Sequence, residues 1–252
     1  MAHKATVSHE DPLAQAVGHL GNVAFYYLLR VGEYTFSGHK QRTRTQQFQV
    51  NSIIFRRGQL VIPNTAPLPQ LLTATSATLV INNQKNGLRG QCIHHQCSGL
   101  PTSPVRSLAY RVHHIMSHFD MNQTLSISAY RQSDGSLAHV CASHINAAVK
   151  QAVASLGLLS HGFILKEVSS HSLRAGGAMA LKLHGYDRDT IKKMGRWSSD
   201  TFLTYIHEQI GAFSAGLSTK MATPIPFHNM ATPLTMSDAP HAASLDHSTL
   251  SH

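Results

Sequence analysis

Ser169-Ser-His-Ser-Leu-Arg-Ala-Gly-Gly-Ala178, followed by Gly195-Arg-Trp-Ser-Ser-Asp-Thr-Phe-Leu-Thr-Tyr-Ile-His207, is the most informative stretch of the chain. Its spacing predicts three short helices, from about Ser172 to His184 before Gly185, from about Arg188 to Met194 before Gly195, and from about Ser199 to Ile210. His171 and Arg174 stand one turn apart, so both project from one helix face.

Working back from this stretch, the pattern stays helical and then turns to strands. Ala138 to Leu156 places Val140, Cys141, Ile145, Ala148, Val149, Ala152 and Val153 at helical spacing and closes on Gly157. Ser103-Pro104 opens another helix with Val105, Leu108, Ala109, Val112, Ile115 and Met116 on one face. Between Gln46 and Pro63 the run Phe48, Val50, Ile53, Ile54, Phe55, then Arg57-Gly58, then Leu60 to Ile62 predicts a short hairpin. A second hairpin, Thr78 to Asn82 and Leu88 to His95, turns at Asn86-Gly87, a dipeptide suited to a type I′ turn because both central residues take φ > 0. That turn puts Lys85 at a hairpin tip. Asp11-Pro12 supplies an N-cap and a first-turn proline for a helix running to about Arg30. The expected fold is mainly α with a small antiparallel sheet, in the α+β class. Residues 1 to 11 form a stub, 12 to 211 one domain, and 212 to 252 a mostly disordered tail of Ser, Thr, Ala, Pro, His and Met without a period.

With 252 residues, 42% of them hydrophobic, the chain is long enough for one sizeable core. Three cysteines, Cys92, Cys97 and Cys141, form no regular framework and point to a reducing, intracellular compartment, the nucleus in a eukaryote. No apolar run approaches the roughly 18 residues of a spanning helix, so no membrane is expected. The net charge of +9 is concentrated. Residues 34 to 119 hold no Asp or Glu but carry nine positive charges, Lys40, Arg42, Arg44, Arg56, Arg57, Lys85, Arg89, Arg106 and Arg111. A one-signed field of that extent suits a phosphate backbone, whose counterions are released as Lys and Arg approach, so Lys40, Arg42, Arg44, Arg56, Arg57 and Arg89 are candidates for nucleic-acid binding, with a solvated positive face as the alternative. Cys92-Ile-His-His-Gln-Cys97 suggests a metal cluster, but in a strand positions 92 and 94 face one side and 95 and 97 the other, and no metal is expected.

The His171-x-x-Arg174 box, with Gly195 after it and Tyr205 ten residues beyond that glycine, resembles the second signature box of the tyrosine recombinase (phage integrase) family. Leu28-Leu-Arg-Val-Gly-Glu-Tyr34 is similar to the family's first box, in which an Arg is followed three residues later by Glu. Asn83-Gln-Lys-Asn-Gly87 falls where the family places a catalytic lysine on a hairpin. The resemblance covers residues 25 to 210, and the Gly-Arg-Trp-Ser-Ser wording resembles recombinases of eukaryotic Crypton-type transposons more than bacterial resolution enzymes. It implies a recombinase catalytic domain that breaks and rejoins double-stranded DNA through a 3′-phosphotyrosine, integrating or excising a mobile element as a homo-multimer. Two departures stand out. The position usually held by His or Trp falls on Arg196, with Trp197 one residue later, and either residue fills the role. Only about 25 residues precede the first box, where the family has a DNA-clamping domain, so a truncated or separately encoded catalytic half is expected.

These residue types suit the chemistry. Tyr205 is the nucleophile, storing the broken bond as a phosphotyrosine so that no cofactor is consumed. Arg30 and Arg174 present planar forks to the non-bridging oxygens, with Glu33 in support. Lys85 protonates the leaving 5′ oxygen, and His171 accepts the tyrosine proton or orients the phosphate. Two alternatives remain open at this point, a type IB topoisomerase-like relaxation and a catalytically decayed DNA-binding module.

Overall fold

The computed structural model describes residues 11–38, 47–81, 90–200 and 202–203. All lie in the first of two units, Met1–Gln209; the second, Ile210–His252, falls outside the described residues. The first unit is α+β, mainly helical with a small antiparallel sheet.

Helix α1 (Pro12–Tyr26) begins as the sequence predicts: the Asp11 side chain accepts the Leu13 N–H at 2.9 Å, and Pro12 occupies the first turn, where its missing donor costs nothing. It ends four residues earlier than expected. Leu28 takes a left-handed conformation, φ +50°, and Arg30 is extended, so Arg30 caps the one-turn α2 (Val31–Tyr34) instead of closing α1. A turn of 3₁₀ helix, Val50–Ser52, precedes β1 (Ile53–Arg57), so Phe48 and Val50 stand outside the strand. β1 returns through Gly58, φ +60°, into β2 (Leu60–Ile62). A single turn, α3 (Leu68–Leu71), leads to β3 (Ser76–Ile81) and β4 (Gln91–Gln96). The sheet order is β2-β1-β3-β4, all antiparallel, with Leu79 opposite both Ile53 and Ile93. The hairpin between β3 and β4 is therefore present, while its tip, with Asn86-Gly87, lies outside the described residues.

Helix α4 (Pro104–His118) buries the expected face, with Val105, Leu108, Ala109, Val112 and Ile115 packed on α1 and the sheet. The next helix starts later than the sequence suggests. Leu137–His139 is strand β6, paired with β5 (Ala129–Arg131) around Asp134-Gly135, and α5 spans Ala142–Ser155. Asp134 Oδ1 accepts from the N–H and hydroxyl of Ser136, and Gly135 has φ +88°; this Asp-Gly turn was the available signal. Helices α6 (Ser170–Leu183) and α7 (Arg188–Gly195) follow, capped by the Ser169 and Asp187 side chains. Of the third predicted helix Ser199, Asp200, Phe202 and Leu203 are described: the first two form a bend and a turn, and the last two are helical, so the helix begins after Asp200.

Two clusters hold these elements. The larger joins α1, α4 and the sheet; the smaller is Ala178, Met179, Ile191 and Phe202, with Trp197 against it. α6 packs on α1 where Gly177 faces the end of α1: a Cβ there would overlap the Phe25 carbonyl oxygen and the Leu28 side chain. Gly177→Ala is therefore expected to cost about 1–3 kcal/mol or more, because a main-chain oxygen cannot swing aside as a side chain can. A urea unfolding midpoint unchanged by this substitution contradicts the close approach.

Candidate active site

Helix C-termini leave carbonyls without intrahelical partners. Here the ends of α1 and α7 come together, and three guanidinium groups occupy the space between their carbonyls. Arg174, in the first turns of α6, donates from Nη1 to the Leu28 oxygen and from Nη2 to the Gly195 oxygen. Arg30 donates from Nη2 to the Arg196 oxygen at 3.1 Å. Arg196 donates from Nη1 to the Tyr27 oxygen at 3.3 Å. Positive charge also suits the negative end of each helix dipole.

One carboxylate serves this group. Glu33, 2% exposed, accepts the Arg30 N–H at 2.7 Å and lies 3.3 Å from Arg30 Nη1. Its other contact is Arg196 Nη2, 2.6 Å from Oε2. The spacing of Arg30 and Glu33 in the sequence thus has a local cause: Glu33 closes the first turn of α2 on the backbone of its own cap residue. Three guanidinium groups against one carboxylate leave the region net positive. Burial lowers the pKa of Arg196, with Glu33 opposing the shift and Arg30 adding to it.

Arg196 and Trp197 pack in different directions. Arg196 adopts φ +56° as the α7 cap, which turns its side chain inward to Glu33, leaving it 5% exposed. Its Nε is buried without a hydrogen-bond partner. Trp197 lies under Arg174, whose guanidinium carbon is 4.2 Å from the ring centroid, and stacks at 5.2 Å on Phe202. Gly195 makes room for that indole, since a Cβ there would overlap its six-membered ring. The small residues Gly177 and Gly195 therefore set where Arg174 and Trp197 sit, a role that the sequence pattern contained but that residue chemistry alone did not reveal.

Arg30, Glu33, Arg174, Arg196 and Trp197 are brought together. His171 is exposed, one turn from Arg174, and its main-chain N–H donates to Ser169 Oγ at 3.3 Å as part of the α6 cap. Tyr205, Lys85, Lys40, Arg42, Arg44 and Arg89 lie outside the described residues. Arg56 and Arg57 stand at the end of β1, Arg57 exposed and Arg56 Nη1 3.5 Å from the Gln59 oxygen.

No protein-family model matches the chain, and no curated protein matches it.

One charge of the acid-free stretch is not on the surface. Arg111, 2% exposed, donates from Nε to the Ile127 oxygen at 3.2 Å and from Nη2 to the Ala129 oxygen, tying α4 to the segment entering β5. Burial lowers its pKa to about 10. The one-signed field is correspondingly smaller than the count of nine implies. In Cys92-Ile-His-His-Gln-Cys97, Ile93 is buried while Cys92 and His94 are exposed, and His95 packs against the rings of Tyr26 and Tyr27. Among the described residues no three His, Cys, Asp or Glu side chains are arranged to hold a metal ion.

Proposed function

We propose that the chain is a DNA strand-transferase of the tyrosine recombinase kind, which cleaves double-stranded DNA through a covalent bond to Tyr205 and rejoins it to a new partner. The observation that carries this is the approach of Arg30 and Arg174, from opposite ends of the domain, to the carbonyls of the neighbouring residues Gly195 and Arg196. That turn ends the helix preceding the segment with Tyr205. Charge building on phosphate oxygens is best stabilised by donors held in place beforehand, and a guanidinium fixed by main-chain carbonyls and an indole is held in place. Arg30 keeps a side-chain exposure of 25%, which leaves it accessible to a phosphate. His171, exposed one turn above Arg174, supplies the proton acceptor. On this proposal Lys85 protonates the leaving 5′ oxygen, no cofactor is consumed, and the chain works as a multimer on DNA to integrate or excise a mobile element.

A nicked suicide substrate tests the proposal. The purified chain is expected to form a denaturant-resistant protein–DNA adduct that Tyr205→Phe abolishes. No adduct on a sequence the chain demonstrably binds contradicts it. Relaxation of any supercoiled plasmid, without exchange of partners, points instead to topoisomerase chemistry.

A second reading, a DNA-binding module that has lost turnover, is favoured by the burial of Arg174, 5% exposed with both terminal nitrogens on main-chain carbonyls. It calls for salt-sensitive DNA binding that Tyr205→Phe leaves unchanged, with no strand transfer.

A further inference from the structure

Beside the guanidinium group, the start of β4 and the last turn of α7 form the two walls of a cleft of about 530 Å³. Gln91 and Ile93 line it on the strand side, Lys192 and Lys193 on the helix side, and Trp197 and Ser198 close its end. The two ammonium groups are not equivalent. Lys192 is 3.2 Å from Asp200, which Arg188 also engages, whereas no carboxylate is paired with exposed Lys193 among the described residues. Asp189 is the one acid on the walls. Lysines in a helix's last turn stabilise its carbonyl end in any case. What goes beyond that role here is that the two lysines and a strand residue, Gln91, line one cleft whose volume exceeds that of a single small ion.

The cleft shares Arg196 and Trp197 with the candidate active site. Arg174 lies over the Trp197 ring and is not among the residues that line the cleft, whereas Lys192, Lys193 and Gln91 are. We infer that this cleft is a second anion site, seating a non-reacting phosphodiester of the bound DNA strand, with Lys193 as its principal contact. The inference rests on the DNA-cleaving function proposed above and adds to it a backbone contact that positions the strand without taking part in the chemistry. A phosphate held there fixes where the strand runs relative to Arg30 and Arg174. Phosphate contacts of this kind set register and carry no sequence information.

The shared chemistry is a phosphate group, and DNA and free polyphosphate are its two sources. Trp197 is the chain's single tryptophan and touches both the cleft and Arg174, so its fluorescence reports binding at either place and the Lys193→Gln comparison assigns the response to the cleft. The full chain carrying Tyr205→Phe, which forms no adduct, is titrated with a DNA duplex and with inorganic tripolyphosphate, with and without Lys193→Gln. Both ligands are expected to change Trp197 emission. Lys193→Gln is expected to weaken duplex binding several-fold, equally across sequences, and to reduce the slope of log affinity against log salt by about one, the loss of one phosphate contact. Duplex binding with an unchanged slope in Lys193→Gln overturns the second site while leaving the proposed function standing. Failure of the parent to bind duplex, with a tripolyphosphate response that Lys193→Gln removes, does the reverse. No response to either ligand overturns both. Thermal unfolding of Lys193→Gln close to the parent's shows that a lost contact, not a lost fold, is being read.

Discussion

Glu33→Ala is expected to lower the folding stability of the chain by about 3–5 kcal/mol, the usual range when one partner of a buried ion pair is removed. The carboxylate is 2% exposed and faces Arg30 and Arg196 at once. Its loss leaves Arg196, itself 5% exposed, with only the Tyr27 carbonyl at 3.3 Å to answer its charge. Three cations then converge without an anion, and their mutual repulsion is no longer offset. Glu33→Gln should be milder, since the amide oxygen can still accept the Arg30 N–H that closes α2. Urea unfolding of the two variants provides the measurement. A loss below about 1 kcal/mol in Glu33→Ala, the range of an exposed ion pair, contradicts the picture of a buried hub.

The second large effect is on acid stability. His19 and His114 both lie near buried Arg111, and burial together with that positive charge lowers their pKa values to about 4 and about 3. His19 stacks on Tyr110 with ring centroids 5.1 Å apart, and His114 Nε2 accepts the Arg131 N–H at 3.1 Å, a bond that only the neutral ring can make. Burial lowers His95 and His139 in the same direction. In the unfolded chain a histidine takes up its proton near pH 6.5, well before these folded ones do. The stabilisation is therefore complete above about pH 6.5 and declines as the pH falls towards the folded values. Two such rings give a slope of at most about 2.7 kcal/mol per pH unit in the steep part of the fall. Unfolding midpoints measured from pH 8 to pH 4 should be flat at first and then drop. His114→Gln, whose amide oxygen can accept from Arg131 without titrating, should flatten the curve. A stability constant down to pH 4.5 contradicts the assignment.

What the sequence made legible follows a physical rule. Helix starts with a single chemical solution were read well, since Asp11-Pro12 starts α1 and Ser103-Pro104 starts α4, and the two runs on either side of Asn86-Gly87 pair as β3 and β4. Boundaries decided by tertiary packing were not. Tyr27 to Arg30 continues an apolar helical run in sequence, yet the backbone leaves the helix at Leu28, where its freed carbonyl meets Arg174 from α6. Ala138 to Cys141 fits a helical period but pairs as strand β6 and a cap, because β5 offers a partner. In the candidate site, Arg30, Glu33 and Arg174 were singled out through the family resemblance; Arg30 pairs with Glu33, and Arg30 and Arg174 reach the carbonyls of adjacent residues at the end of α7. The division of labour between Arg196 and Trp197 was not readable, since it depends on a left-handed cap that only the end of α7 imposes. The burial of Arg111 went unread although its place, three residues after Leu108 and four before Ile115, sets it on the face that α4 buries.

The union of α1 with α7 has a consequence for biogenesis. A ribosome delivers Tyr27, Leu28 and Glu33 early, and the guanidinium groups of Arg174 and Arg196 that cover them late. Until residue 196 has cleared the exit tunnel, the nascent domain carries a buried-to-be acid and two uncovered main-chain oxygens, which keep that corner wet and open. Closing it is a long-range step that comes last, so a translation product stopped inside α6 should retain the sheet and α4 yet stay sensitive to protease cleavage around Tyr27.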